Sequence, residues 1–309
     1  MSVKRRIFVS APRSIRLDAD RIKIKEAILA EIEAGIKRLG YELQIFLDEG
    51  GGRGEPSGAG WSLEKVEKVA KRCVGAVLIG LPFWNTTMQD SRDIWLPTDY
   101  CQYEGAVAHA YGLPILAIAL GIEQRVIFDE HAGLHAVYIP HPISPPETWL
   151  QTNRFRGPFE HWKGNLEQRR DVFLGYCSSS TEAAQNLKRF LEKDLDATVL
   201  DWQTDFTPGR TILQEIERAA ARCSAGIFLF TKDDKLTDDA QVDKAVPRDN
   251  VVFEAGYFIQ AKDKDRVLIA RQAGAKMPAD LGSDIYALLD DKLHIGSIED
   301  KVRIFVENL

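Results

Sequence analysis

Cysteine is scarce in this chain. There are four in 309 residues, Cys73, Cys101, Cys177 and Cys223, and none forms a C-x-x-C pair. Widely spaced thiols in apolar, strand-like surroundings exclude a disulfide scaffold and a zinc ribbon. They suit buried thiols in a reducing compartment, so a cytoplasmic location is expected. Long apolar runs are missing too. The longest weakly polar stretches, Cys73–Trp84 and Ala110–Ile122, fall short of the roughly 18 residues that span a bilayer. The opening MSVKRRIFVS has no apolar core behind its basic residues and does not read as a signal peptide. No membrane partner is expected. Positive charge is not in excess either: 40 Lys plus Arg stand against 46 Asp plus Glu, a net charge of −6. With no evident basic patch, counterion release favours no phosphate backbone, and nucleic acid is not an expected partner.

What is present is a chain that is 45% hydrophobic and 28% charged, enough apolar matter for the cores of about two ordinary domains. The clearest break is Pro140–Arg170, which carries Pro140, Pro142, Pro145, Pro146 and Pro158 with Trp149, Phe155, Phe159 and Trp162 among polar residues. Proline at this density argues against a long helix or a central strand. The segment therefore reads as an ordered connector over 141–170, between domains at 1–140 and 171–309.

The two flanking parts read alike. The first alternates strands at Ile7–Ser10, Glu42–Leu47, Gly75–Gly80 and Pro114–Ala119 with helices at Ile22–Leu39, Leu63–Cys73 and Asp99–Tyr111. The second alternates strands at Val172–Tyr176, Thr198–Trp202, Gly226–Phe230 and Arg266–Ala270 with helices at Thr181–Leu191, Ile212–Cys223 and Asn250–Gln260. This rhythm predicts parallel βαβ units and doubly wound sheets. EKVEKVAKRCVGAVLIG and QEIERAAARCSAGIFLF place Cys73 and Cys223 150 positions apart, and Glu104 and Glu254 are separated by the same 150. A constant offset across a variable loop points to a duplicated fold with equivalent glutamates at the start of equivalent helices. The fold class expected is α/β, as two tandem flavodoxin-like (Rossmann-like) parallel-sheet domains.

In such sheets ligands gather beyond the carboxyl ends of the strands. In the second half the first loop, GYCSSST, holds Tyr176 and Ser178 and lacks a G-x-G-x-x-G cradle. Its serines offer hydroxyls and backbone N–H groups to an anion or a ribose, or simply cap a helix. The second loop, WQTDFTPGRT, brings aromatic Trp202 and Phe206 near Asp205 and the cation Arg210, a set that suits a flat base joined to a phosphate. The third runs through Lys232, Asp233 and Asp234 to Arg248, with Asp249 or Asn250 as N-cap and Glu254 in the helix's first turn. A glutamate there either complements the helix dipole or turns its carboxylate into the cleft.

The stretch PRDNVVFEAGYF, preceded by LFTKDD and followed by ADLGSDIYALLDD, resembles the TIR-like domain of bacterial anti-phage effectors. The type is that of the CBASS and Pycsar systems, including fusions to bacterial STING. The resemblance covers about Asp171–Asp290 and makes the second domain TIR-like. It implies an NAD⁺ glycohydrolase whose catalytic glutamate, that of FExG, falls on Glu254, with NAD⁺ as substrate, no cofactor and no metal. One departure stands out: the family's first strand usually ends in a His-Gly pair, and here it runs into Gly175-Tyr176-Cys177-Ser178.

One carboxylate suffices for that reaction. Nicotinamide leaves as a neutral molecule from a cationic precursor, so no acid need protonate it. A carboxylate beneath the ribose holds the hydroxyls and opposes the charge developing on C1′, in contrast to the paired carboxylates of ordinary glycosidases. On this reading Trp202 and Phe206 stack, Ser178 and Asn250 supply polar contacts, Arg210 or Arg248 meets phosphate, and Tyr176 and Asp234 complete the substrate contacts. Because an unregulated enzyme of this kind would poison its host, activation by a ligand or by assembly into a homo-oligomer is expected.

The first half lacks the R-x-N-V-x-F-E signature. Its TDYCQYEGAVAHAYGLPILAIA and IFVSAP are similar to the nucleoside 2-deoxyribosyltransferases, which implies a possible second nucleotide site at Glu104. The anti-phage resemblance implies a sensing domain beside the effector domain, so residues 1–140 either bind a nucleotide second messenger and drive assembly or form a twin that only scaffolds. The glycine-rich loop Asp48–Gly60 reads either as a cover for a nucleotide or as a surface insertion. His131 and His135 are four apart, but Gly133 lies between them and no carboxylate motif follows, so no metal site is expected. Two alternatives to the NAD⁺ glycohydrolase stand: a non-catalytic nucleotide-binding or signalling module, and a deoxyribosyltransferase-like enzyme centred on Glu104.

Overall fold

The computed structural model describes residues 3–45, 61–206, 209, 211–237, 243–278 and 286–309. The chain divides into two compact units, Lys4–Gln168 and Arg169–Leu309, the latter joined by the residues up to Val3. Each unit is a five-stranded parallel sheet between two layers of helices, and the second carries the family likeness described below.

In the first unit the elements are β1 (Arg5–Ser10), α1 (Ala19–Lys37), β2 (Tyr41–Ile45), α2 (Leu63–Lys71) and β3 (Cys73–Gly80). A short hairpin follows, β4 (Trp84–Thr87) and β5 (Asp93–Leu96), then α3 (Asp99–Ala110), β6 (Ile115–Leu120), β7 (His135–Ile139) and α4 (Asn153–Glu167). The strand order is β2-β1-β3-β6-β7. β3, CVGAVLIG, is buried along its whole length, as an apolar run covered on both faces must be in a parallel sheet. Its alternate residues feed two cores: Val77 and Ile79 join α1 and α4, and Ala76 and Leu78 join α2 and α3. Capping sets the helix starts. Asp18, Ser62 and Thr98 accept from the backbone N–H groups of Arg21, Lys65 and Cys101, satisfying donors that helix geometry leaves open.

The second unit repeats the plan with β8 (Arg170–Gly175), α5 (Thr181–Asp194), β9 (Val199–Asp201), α6 (Trp202–Asp205), α7 (Ile212–Arg222) and β10 (Cys223–Phe230). It continues with the hairpin β11 (Asp234–Thr237) and β12 (Asp243–Val246), then α8 (Asp249–Lys262), β13 (Val267–Gln272), β14 (Ala287–Leu289) and α9 (Glu299–Glu307). Its order, β9-β8-β10-β13-β14, matches the first sheet strand for strand. The duplication extends further than the helices suggest, because the hairpins β4–β5 and β11–β12 are related by the same 150-residue offset. In each sheet the chain reverses its direction of travel between the first and third strands, and that crevice is where a doubly wound sheet takes its ligand.

The stretch read as a connector is different in structure. Residues 153–167 form α4, a helix of 15 residues with Pro158 inside it. Phe155, Phe159, Trp162 and Leu166 recur at helical spacing, are fully buried, and pack with Ile28, Ile32 and Ile36 of α1 in the core of the first unit. Pro158 removes a backbone hydrogen bond at a cost of about 3 kcal/mol. Four large side chains at roughly 1.5–3 kcal/mol each outweigh it. The prolines before residue 147 end β7 and shape the approach. Proline density was the wrong guide, and the four aromatic and aliphatic residues were the better one. Among the described residues no helix is long and apolar enough to cross a membrane.

Candidate active site

Gly175 ends β8, and Phe173, Gly175 and Cys177 alternate onto the sheet face covered by α7 and α8. On that face Phe173, Phe228 and Phe258 form an aromatic cluster, with ring centroids 5.0 Å apart for Phe173 and Phe258 and 5.4 Å for Phe228 and Phe258. Val251, Ala255 and Phe258 anchor α8 to this cluster. Glu254 lies one residue before Ala255 and is carried to the end of β8, where a Cβ built on Gly175 would lie 2.9 Å from its Oε2. Glu254 as a whole is 8% exposed. Its Oε2 is buried and has no hydrogen-bond partner among the described residues. Loss of solvation pushes the Glu254 carboxyl up to about 7, because burial penalises the charged form. A buried, unpartnered carboxylate oxygen is uncommon in folded proteins and calls for an explanation.

The equivalent glutamate of the first unit is satisfied. Glu104 Oε2 accepts from the Ser10 hydroxyl in a short hydrogen bond, and Oε1 accepts from the Trp61 indole N–H at 2.9 Å. Ser10 ends β1 and pairs with Leu78, while Gly175 ends β8 and pairs with Phe228. Leu78 and Phe228 are themselves 150 apart, so Ser10 and Gly175 hold one position of the repeated fold. A hydroxyl fills that position in the first unit, and a missing side chain leaves it open in the second.

The loops that follow β8 and β10 are polar. Asp233 accepts from the hydroxyls of Ser179 at 2.5 Å and Thr231 at 2.8 Å, and from the backbone N–H of Arg248 at 3.2 Å. Arg248, half exposed, pairs with Asp234 at 3.2 Å and also meets Cys177, whose thiol is drawn below its ordinary value. Burial raises that thiol's pKa, but hydrogen bonds from Ser179 and Arg248 outweigh it. Arg248, not Asp249 or Asn250, is the N-cap of α8, and it makes no side-chain cap bond. Glu254 therefore belongs to the helix's second turn, which weakens a purely dipolar role for it.

The other predicted positions divide. Ser178 and Asn250 are exposed, on the loop after β8 and at the start of α8. Phe206 stacks on Phe173 with centroids 6.0 Å apart, on the face that α8 covers. Trp202 is half-buried and its indole N–H donates to the Tyr176 carbonyl at 3.1 Å, so it fixes the loop after β8. Tyr176 does not join Glu254: its ring lies in the core on the opposite face, and its hydroxyl donates to Asp201 at 2.8 Å. Strand parity explains this, since Tyr176 follows Leu174 and not Phe173. Lys232 is drawn to Asp291, at 2.5 Å. Arg210, the Asp48–Gly60 loop and the whole of ADLGSD lie outside the described residues. Sequence reasoning passed over Gly175 as a contributor, although counting in twos from Phe173 finds it.

Residues 171–291 match the family model described as CAP12/Pycsar effector protein, TIR domain. A CD-NTase-associated protein 12 of a Lachnospiraceae bacterium is 31% identical over 111 residues, 36% of this chain and 34% of that protein. The protein of the same name from Flavobacterium daejeonense is 32% identical over 112 residues, 36% of this chain and 35% of its own. The Pycsar effector protein BcPycTIR of Burkholderia cepacia is 30% identical over 121 residues, 38% and 40%. The chain thus spans about a third of the length of the first curated relatives it matches. The C-terminal unit carries a TIR domain of the CAP12/Pycsar effector family over residues 171–291.

Proposed function

We propose that the C-terminal unit cleaves NAD⁺ to nicotinamide and ADP-ribose as the effector step of an anti-phage response. One observation carries this reading: Glu254 Oε2 is buried, has no partner among the described residues, and lies beside Gly175 at the crevice between β8 and β10. A ribose diol supplies the donors this oxygen lacks, and a cationic sugar supplies the charge that favours its ionised form. As the C1′–N bond breaks, its electron pair leaves with nicotinamide, and the carboxylate opposes the positive charge left on C1′. Water then adds at C1′ and its proton passes to solvent. Arg248 is suited to the pyrophosphate, with Ser178 and Asn250 at the exposed rim and Phe206 offering a ring on the same face.

The relatives' names support the effector setting, since two of them are Pycsar effector proteins. Cytoplasmic location, self-association and activation by a nucleotide signal belong to the same proposal. The test is chromatographic analysis of NAD⁺ incubated with concentrated protein. Nicotinamide release should fall by about 10²–10³-fold in Glu254→Gln and persist in Glu104→Ala. Equal activity in wild type and Glu254→Gln, or none in wild type across a concentration series that spans self-association, rejects the proposal.

A further inference from the structure

A cavity of about 450 Å³ opens in the N-terminal unit at the crevice between β1 and β3. Its size falls in the range of small-molecule sites. The wall is built from the loop after β1 with Arg13 and Arg16, the segment after β3 with Trp84, the start of α3 with Tyr100 and Glu104, and Trp61. Three features of this wall are unusual together. Trp84 is 53% exposed and Tyr100 52% exposed, so two large rings face solvent where burial would stabilise them. Trp61 is a preset flat surface, held edge-on to Tyr100 at 4.7 Å and tied by its N–H to Glu104. Arg13 and Arg16 are exposed on the same rim, and neither pairs with a carboxylate among the described residues.

Flat rings beside unpaired guanidinium groups are complementary to a planar base joined to an anion. Arginine is suited to the anion because its fork grips phosphate through two parallel N–H donors. The floor differs from that of the C-terminal unit. Both oxygens of Glu104 already accept from the protein, from Ser10 and from Trp61, so this carboxylate is held by its own unit, whereas Glu254 Oε2 has no partner among the described residues.

We infer that this cavity is a nucleotide-binding site that takes the base among Trp61, Trp84 and Tyr100, takes phosphate at Arg13 and Arg16, and releases its ligand unchanged. The inference is independent of NAD⁺ cleavage by the other unit, and it distinguishes the two copies of the fold by a single strand-end residue.

Calorimetric titration of the full-length Glu254→Gln protein with AMP, 3′,5′-cyclic AMP, cyclic UMP, adenosine and inorganic phosphate tests it. The Glu254→Gln background keeps the other unit from interfering by catalysis. At least one nucleotide should bind tenfold or more tightly than adenosine or phosphate. Arg13→Ala/Arg16→Ala should erase that advantage without changing adenosine binding, and Trp84→Ala should weaken nucleotide and nucleoside alike by about tenfold. All three positions are exposed, so the variants should keep the parent's melting temperature. Chromatography of the bound nucleotide should return it intact. Adenosine binding as tightly as every nucleotide, nucleotide binding indifferent to Arg13→Ala/Arg16→Ala, no nucleotide binding below 1 mM, or liberated free base each overturns the assignment.

Discussion

Gly175 makes room for Glu254: a Cβ built on this glycine would lie 2.9 Å from Glu254 Oε2 and 2.4 Å from the Phe228 ring. Neither neighbour moves easily, because Phe228 is fully buried and Glu254 belongs to a helix anchored by Val251 and Ala255. Gly175→Ala should cost about 1–3 kcal/mol of stability by overpacking. It should also lower nicotinamide release by at least tenfold. Gly175→Ser places at this position the residue found in the first unit, and its hydroxyl should donate to Glu254 as Ser10 does to Glu104. Urea melts and a nicotinamide assay on both variants read the two effects separately. A Gly175→Ser protein as stable and as active as wild type contradicts the geometry.

The pH dependence of activity follows from the raised Glu254 carboxyl. With its value near 7, the free protein is largely protonated there at pH 6 and ionised at pH 8. The proposed chemistry needs the ionised form. kcat/KM for NAD⁺, which reports groups of the free enzyme, should rise with unit slope below pH 7 and level off above it. A profile that is flat from pH 5 to pH 8 removes Glu254 as the charged group.

Stability should run the other way. An acid raised in the folded state from its ordinary 4.5 to about 7 binds its proton more tightly when folded. Stability is therefore lost as pH rises through that interval, by about 3 kcal/mol at most. Glu254→Gln removes the titration, so wild type should lose stability relative to this variant between pH 4.5 and 7.5. Denaturant melts at the two ends of that window give the difference, and parallel curves refute the burial of a titrating carboxylate.

Much of the fold is legible from apolar rhythm. β3 and β10 announce themselves as continuous apolar runs, and the 150-residue offset exposes the repeat before any coordinates. What the rhythm hides is explicable. The hairpins β4–β5 and β11–β12 are only four residues per strand, β4 is exposed along its whole length, and they lack the Asn-Gly turn that marks a hairpin. At the site, Glu254 was readable because a motif carries it. The absence of a partner for its Oε2 was not, since an absence depends on what every surrounding element brings. Tyr176 shows the reverse error: proximity along the chain suggested a contact that strand parity forbids.

A further prediction concerns the rim. Arg248 pairs with Asp234 at 3.2 Å, meets the Cys177 thiol and is half exposed, so it is engaged by the protein and still open to a ligand. Arg248→Ala should raise KM for NAD⁺ about tenfold with a smaller change in kcat, the pattern of a group that binds substrate and transition state equally. Asp234→Asn, which removes one of the guanidinium's charged partners, should lower KM or leave it unchanged. Steady-state kinetics on the pair decides the matter, and a fall in kcat with KM constant for Arg248→Ala shows that it acts at the reacting centre instead.

The last prediction separates α4 from a tether. Trp162 is fully buried and its indole N–H donates to the Pro114 carbonyl at 3.0 Å, so Trp162→Ala should cost about 3–5 kcal/mol. Gly35 of α1 faces Phe159 so closely that a Cβ there would lie 2.5 Å from the ring. Gly35→Ala should therefore destabilise in spite of alanine's better helix propensity, and the packing term outweighs the propensity gain of about 1 kcal/mol. A fragment ending at residue 140 would leave Ile28, Ile32 and Ile36 without their cover and should unfold without a cooperative transition, whereas one ending at Gln168 should melt cooperatively. If the shorter fragment melts as sharply as the longer one, α4 is dispensable to the first unit and its burial contributes nothing the remaining core cannot replace.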